Sequence, residues 1–183
     1  DQDVKQVILI VDDTPDNITL LSALLKDKYK IKIATNGLKA LHIASIDPSP
    51  DLILLDVMMP EMDGYETCRR LKENPQTNQI PVIFLTAKSQ VSDEEMGLKL
   101  GAVDYISKPV SPPIVLARVA TQLNLVRARN LLQDQNKNLE GLVKDRTRKL
   151  AKMQDAIIMA MASLAETRDN ETGNHIRRTQ NYV

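Results

Sequence analysis

Three carboxylates, a hydroxyl and an ammonium stand out in this 183-residue chain because each closes or follows a short apolar run. Val7–Val11 leads into Asp12 and Asp13, residues 52–55 into Asp56, residues 82–85 into Thr86, and residues 103–106 into Ser107, Lys108 and Pro109. Short apolar runs of this kind read as strands. In an open parallel sheet the functional crevice lies beyond the carboxyl ends of the strands, so the five groups converge on one rim. Three like charges within a few ångströms repel by several kcal/mol unless something neutralises them. A hard divalent cation with oxygen ligands does so, and Mg²⁺ suits a site that offers two or three protein oxygens and leaves positions for water or phosphate. With no His or Cys beside these residues, the set is wrong for zinc. A carboxylate beside Mg²⁺ and a lysine can attack a phosphoryl group and form an aspartyl-phosphate. Metal and ammonium would neutralise the transferred oxygens, and the hydroxyl would hydrogen-bond the product. Any one of these aspartates alone is better explained as a cap or turn; five such groups on one rim are not.

The elements that must position these groups alternate along residues 4–110. The runs at 7–11, 52–55 and 82–85 are continuously apolar, as strands covered on both faces require. Those at 31–34 and 103–106 admit polar residues and read as edge strands. Between them lie helices with legible ends. Pro15 opens the first, with Ile18, Leu21 and Leu25 on one face. Leu38, Leu41 and Ala44 give the second its stripe, which Pro48 and Pro50 terminate. A third follows Gly64, puts Cys68 and Leu71 on one face, and stops before Pro75. Ser92 and Glu95 form a capping box for another, and Gly101 sits where a helix end wants a left-handed residue. The pattern predicts an α/β fold, a doubly wound five-stranded parallel sheet.

From Pro113 the strand pattern gives way to about 50 residues of helix, interrupted only by Gly141. Leu125, Leu132 and Leu139 recur every seven residues, with Ala128, Gln135 and Leu142 between them. A second register follows in Val143, Leu150, Ile157 and Leu164, with Arg146, Met153 and Ala160 between. The four-residue step from Leu139 to Val143 is a stutter, which locally unwinds a supercoil. So narrow a seam is best buried against a second copy, which predicts a parallel coiled-coil homodimer.

The formal charge is zero, with 24 basic and 24 acidic residues, but it divides unevenly. Residues 1–112 carry 17 acidic and 12 basic side chains, and residues 113–183 carry 7 and 12. The basic excess is spread along the helix without interleaved aromatic residues, so no nucleic-acid partner is expected. No apolar stretch approaches the roughly 20 residues that span a bilayer, so no membrane partner is expected. The lone Cys68 cannot form an internal disulfide, which fits a cytoplasmic setting. A first residue of Asp rather than Met suggests a piece of something longer.

The stretch VILIVDD, the run LLDVMMPEMDG from Leu54 to Gly64, IFLTA from Ile83 to Ala87 and VDYISKP from Val103 to Pro109 closely resemble the receiver domain of bacterial two-component response regulators. The resemblance covers about residues 5–125 and implies a flavodoxin-like fold in which Asp56 accepts phosphate from a cognate histidine kinase. It further implies that Asp13, Asp56 and the Met58 backbone carbonyl bind Mg²⁺, with Asp12 acting through water. By the same match Thr86 and Tyr105 are the switch pair, Ala87 adjoins the phosphate site, Lys108 is the phosphate-binding lysine, and the bond before Pro109 is cis.

The last twenty residues, with Glu171 and His175 one helical turn apart, resemble the opening of an HD-GYP domain, the metal-dependent phosphodiesterase family that hydrolyses cyclic di-GMP. The resemblance implies that these two residues help hold a catalytic metal in the intact parent. The family's His-Asp pair and Gly-Tyr-Pro motif do not occur before Val183, so this stretch is not expected to be an enzyme by itself. The expected organisation is a receiver at 1–125, a coiled-coil signalling helix at 126–164 and the start of an output domain at 165–183. Two other outputs compete. A phosphorelay histidine at His175 would need a histidine box that Ile176 and Gln180 break, and a DNA-binding regulator would need a recognition helix that nothing here resembles.

Overall fold

The computed structural model describes residues 5–87 and 99–180, with side chains as far as residue 161. The Ser92–Glu95 capping box lies outside the described residues. In chain order the elements are β1 (Val7–Val11), α1 (Pro15–Leu25), β2 (Lys30–Ala34), α2 (Gly37–Ala44), β3 (Leu52–Asp56), α3 (Gly64–Glu73), β4 (Val82–Ala87), β5 (Asp104–Lys108) and α4 (Pro112–Gln180). The five strands form one parallel sheet in the order β2-β1-β3-β4-β5. The continuously apolar runs are the three central strands, and the two with polar residues are the edges, because an edge strand has less surface to hide.

Alternation along each strand sends side chains to two separate cores. Leu9, Val11, Ile53, Leu55, Val82 and Phe84 pack beneath α2 and α3 with Cys68 and Leu71. Ile8, Ile10, Leu52, Leu54, Ile83 and Leu85 pack beneath α1 and the first turns of α4, with Leu21, Leu25, Val115, Val119 and Leu123. Each fully buried aliphatic side chain contributes on the order of 1.5–3 kcal/mol.

Three expectations change. Leu38 is 57% exposed, and α2 instead turns its small residues Gly37, Ala40 and Ala44 inward, with Leu41 half-buried. Asn36 sets that rotation by capping the helix through the Lys39 N–H (2.8 Å). The last strand begins one residue later and ends two residues later than the apolar run, so that Lys108 lies in β5 rather than after it. Helix α4 is 69 residues long, runs through Gly141 unbroken and continues to Gln180. One glycine costs a helix only about 1 kcal/mol, too little to break a long run of good helix formers.

By compactness the chain divides into residues 1–129 and 130–183. In the second unit the apolar residues Leu132, Leu139, Leu142, Val143, Leu150, Met153 and Ile157 are each 54–65% exposed. Glu171 and His175 fall on the helical backbone of α4.

Candidate functional site

The carboxyl ends of β1, β3 and β5 bring together residues far apart in sequence. Oxygens of Asp12, Asp13 and Asp56 lie within 4.8 Å of one another. Asp12 and Asp56 are buried at the strand ends, whereas Asp13 is exposed. Lys108 reaches in from β5 and bridges two of the three carboxylates, with its Nζ 3.0 Å from Asp12 Oδ2 and 2.9 Å from Asp56 Oδ1. Burial pushes the Asp56 carboxyl above its ordinary range and the neighbouring Asp12 charge adds to this, while Lys108 opposes both. Burial would lower the Lys108 pKa, but hydrogen bonds and charges from Asp56 and Asp12 outweigh it and raise the value, which keeps the side chain an ammonium.

Loop geometry completes the rim. Asp56 Oδ1 accepts from the Met58 N–H at 3.3 Å, and the Met58 side chain is 72% exposed. Asp63 caps α3 by accepting from the Glu66 N–H at 2.8 Å. Gly64 donates its N–H to the Val57 carbonyl at 2.9 Å. A Cβ at Gly64 would fall 2.3 Å from the Asp56 carbonyl oxygen and 2.7 Å from Val57 Cα, so only glycine lets α3 start this close to the end of β3. Thr86 is buried in β4, beside Ser107 of β5. Ala87 follows it at the strand's exposed end, paired with Lys108. Tyr105 is half-buried in β5, and the Lys108–Pro109 bond is cis, as is Asp47–Pro48.

A family model described as the response regulator receiver domain matches residues 8–120. The chain belongs to this family. Over all 183 residues the receiver and its helix are 54% identical to a Vibrio cholerae protein named "Probable cyclic di-GMP phosphodiesterase", of which they span 41%. The receiver is also 46% identical over 113 residues to the response regulator PleD of Caulobacter vibrioides, covering 61% of this chain and 25% of that one. The chain therefore spans well under half the length of these relatives. Among solved structures, the receiver domain of a Pseudomonas aeruginosa sensor histidine kinase, with a magnesium ion coordinated in the active site cleft, superposes with a TM-score of 0.60 at 30% identity, covering 66% of this chain and 98% of that one. No helix among the described residues is long and apolar enough to cross a membrane.

Asn17, in the first turns of α1, is a site residue that sequence reading missed. Its Nδ2 donates to both oxygens of Asp12 at 3.1 and 3.0 Å, and the Thr14 N–H adds a bond of 2.8 Å to Oδ1. The available signal was positional: Asn17 stands one turn into the helix that begins immediately after the receiver's acidic pair.

Proposed function

We propose that the receiver is a phosphorylation switch in which an Asp56 oxygen attacks the phosphorus of a phosphohistidine on a cognate histidine kinase. The new O–P bond forms as the P–N bond breaks, and the histidine leaves with a proton. The observation that carries this reading is the clustering of three carboxylates within 4.8 Å, two of them bridged by the Lys108 ammonium. The donor set is entirely oxygen, two of its members are buried, and its charge exceeds what one lysine can offset, so the residues fit a hard divalent cation. Asp13, Asp56 and the Met58 carbonyl would hold Mg²⁺ directly, with Asp12 acting through water. Mg²⁺ supplies neutralisation of the transferred phosphoryl oxygens. Lys108 supplies the second positive charge, Thr86 a hydroxyl to the product, and Ala87 leaves room beside it. Tyr105 follows Thr86 inward when the phosphoryl group is present.

The output is the second part of the proposal. Similarity to the Vibrio cholerae protein runs through all 183 residues, whereas that to PleD covers 113. This supports a parent whose receiver controls a cyclic di-GMP phosphodiesterase of HD-GYP type beginning near residue 165, with Glu171 and His175 among its metal ligands. The exposed seam from Leu125 to Ile157 supports a homodimer through a parallel coiled coil over residues 126–164.

Intact mass after incubation with Mg²⁺ and acetyl phosphate tests the first part. A gain of about 80 Da that disappears in Asp56→Asn supports the reading, and no gain in the wild type refutes it. Sedimentation tests the dimer: Leu132→Asp with Leu150→Asp yields a monomer if the seam is the interface, and a persisting dimer overturns it.

A further inference from the structure

Among the described residues strand β5 is an edge strand, hydrogen-bonded to β4 alone. Its alternation places Tyr105 against the core beneath α2 and α3, and Ile106 against the core beneath α1 and α4. Helix α4 seats Val115, Val119 and Leu123 on that second face. Yet one of its side chains reaches round the open edge of the sheet. Arg118, on the flank of the buried stripe, pairs with the Asp104 carboxylate, and its guanidinium carbon lies 5.5 Å from the centroid of the Tyr105 ring. A guanidinium at that distance is attracted to the face of an aromatic ring. Asp104 fixes where it sits, since Asp104 Oδ1 also accepts from the Tyr105 N–H at 2.9 Å.

We infer that Arg118 is a positioning residue, a latch by which helix α4 holds the Tyr105 ring in the position seen here. The inference rests on Asp56 being the phosphoryl acceptor and on Tyr105 moving when that acceptor is filled. A contact present in one of two conformers and absent from the other biases the equilibrium by its own strength. Leaving this position therefore breaks the stack, and the same break is registered on α4, the helix that continues to Gln180. The dependence is reciprocal: whatever displaces Arg118 also makes the filled state of Asp56 easier to reach. At a partly exposed site such a stack is worth about a two- to fivefold shift in the equilibrium.

The test is a titration of the full chain with beryllofluoride at saturating Mg²⁺, followed through ring-labelled tyrosine NMR with the Tyr105 signal assigned from Tyr105→Phe. Arg118→Gln lowers the half-saturating concentration by about two- to fivefold, and in the absence of beryllofluoride moves the Tyr105 signal toward its saturated position. In a Tyr105→Leu background, with the midpoint read from the ring of Tyr65, which lines the rim with Asp13 and Met58, the same arginine substitution leaves the midpoint unchanged, which separates ring contact from simple loss of a positive charge. Should Arg118→Gln unfold the receiver, Asp104→Asn takes its place and gives a smaller shift in the same direction. An unchanged midpoint, or an equal shift in the Tyr105→Leu background, overturns the latch alone. A wild type that does not respond to beryllofluoride overturns the phosphoryl reading and the latch with it.

Discussion

Gly64 and Gly141 invite the same substitution, and the structure gives the two alanines opposite outcomes. At Gly64 a Cβ would lie 2.3 Å from the Asp56 carbonyl oxygen, whereas ordinary contact begins at 3.4 Å, so the end of β3 and the start of α3 must part by 1.1 Å. All three atoms it meets belong to backbone, at the end of a strand held to β4 at Asp56 and to β1 at Leu55, so no flexible side chain is there to give way. Overpacking of this kind costs about 1–3 kcal/mol, which lowers the receiver's Tm by roughly 5–10 °C. Because the displaced atoms carry Asp56 itself, phosphorylation by acetyl phosphate slows as well. At Gly141 nothing lies within 4 Å of the added carbon. There alanine contributes only its helix preference, about 1 kcal/mol of stabilisation. Thermal melting by circular dichroism on the full chain, with intact-mass time courses for Asp56, reads both effects. A Gly64→Ala protein that melts and phosphorylates like the wild type would refute the close-approach argument, and a destabilised Gly141→Ala would show that the helix bends there for a reason the seam pattern does not contain.

Three further predictions concern the site and its core. Asn17→Ala removes the donor to both oxygens of a fully buried aspartate, costing about 1.5–3 kcal/mol, and an unchanged Tm would show that Asp12 is held by Thr14 and Lys108 alone. Lys108→Ala leaves Asp12 and Asp56 facing each other without their shared cation; we expect Tm to fall in EDTA, to recover on adding Mg²⁺, and Asp56 phosphorylation to slow on the order of 10²-fold. Burial pushes the Cys68 thiol up to about 11 and shields it completely, so a disulfide reagent at pH 8 should leave the native protein unmodified and label it fully in denaturant.

Much of this was legible because the relevant signals are local. Continuous apolar runs marked the central strands, and Lys32 and Asp104 betrayed the edges. Asp12, Asp13, Asp56, Thr86 and Lys108 could be placed on one rim because each is tied to a strand end, and strand ends converge in a parallel sheet. What escaped depends on rotation and reach. Leu38 follows a plausible apolar stripe, but packing of α2 is decided by which residues are small enough to come close. Asn17 and Arg118 act through contacts that one-dimensional periodicity does not encode, the second across the open edge of a sheet. Helix length was underestimated at its far end, where residues 165–180 read as the start of another domain and instead continue the same helix.

The loop after Asp56 is braced at several points: Gly64 to Val57 at 2.9 Å, Met62 to Pro60 at 2.7 Å, and the Asp63 cap at the head of α3. Strand β5, by contrast, has a strand neighbour on one side only among the described residues. On the proposed reading, a group added at Asp56 works between an anvil and a spring. The braced loop cannot yield without disturbing α3, so displacement would be delivered through Thr86 of β4 to the β5 flank, where Tyr105 and Arg118 lie. Direction in this switch is thus set by unequal stiffness around the acceptor, and softening the loop would waste the stroke even with every phosphate-binding group in place.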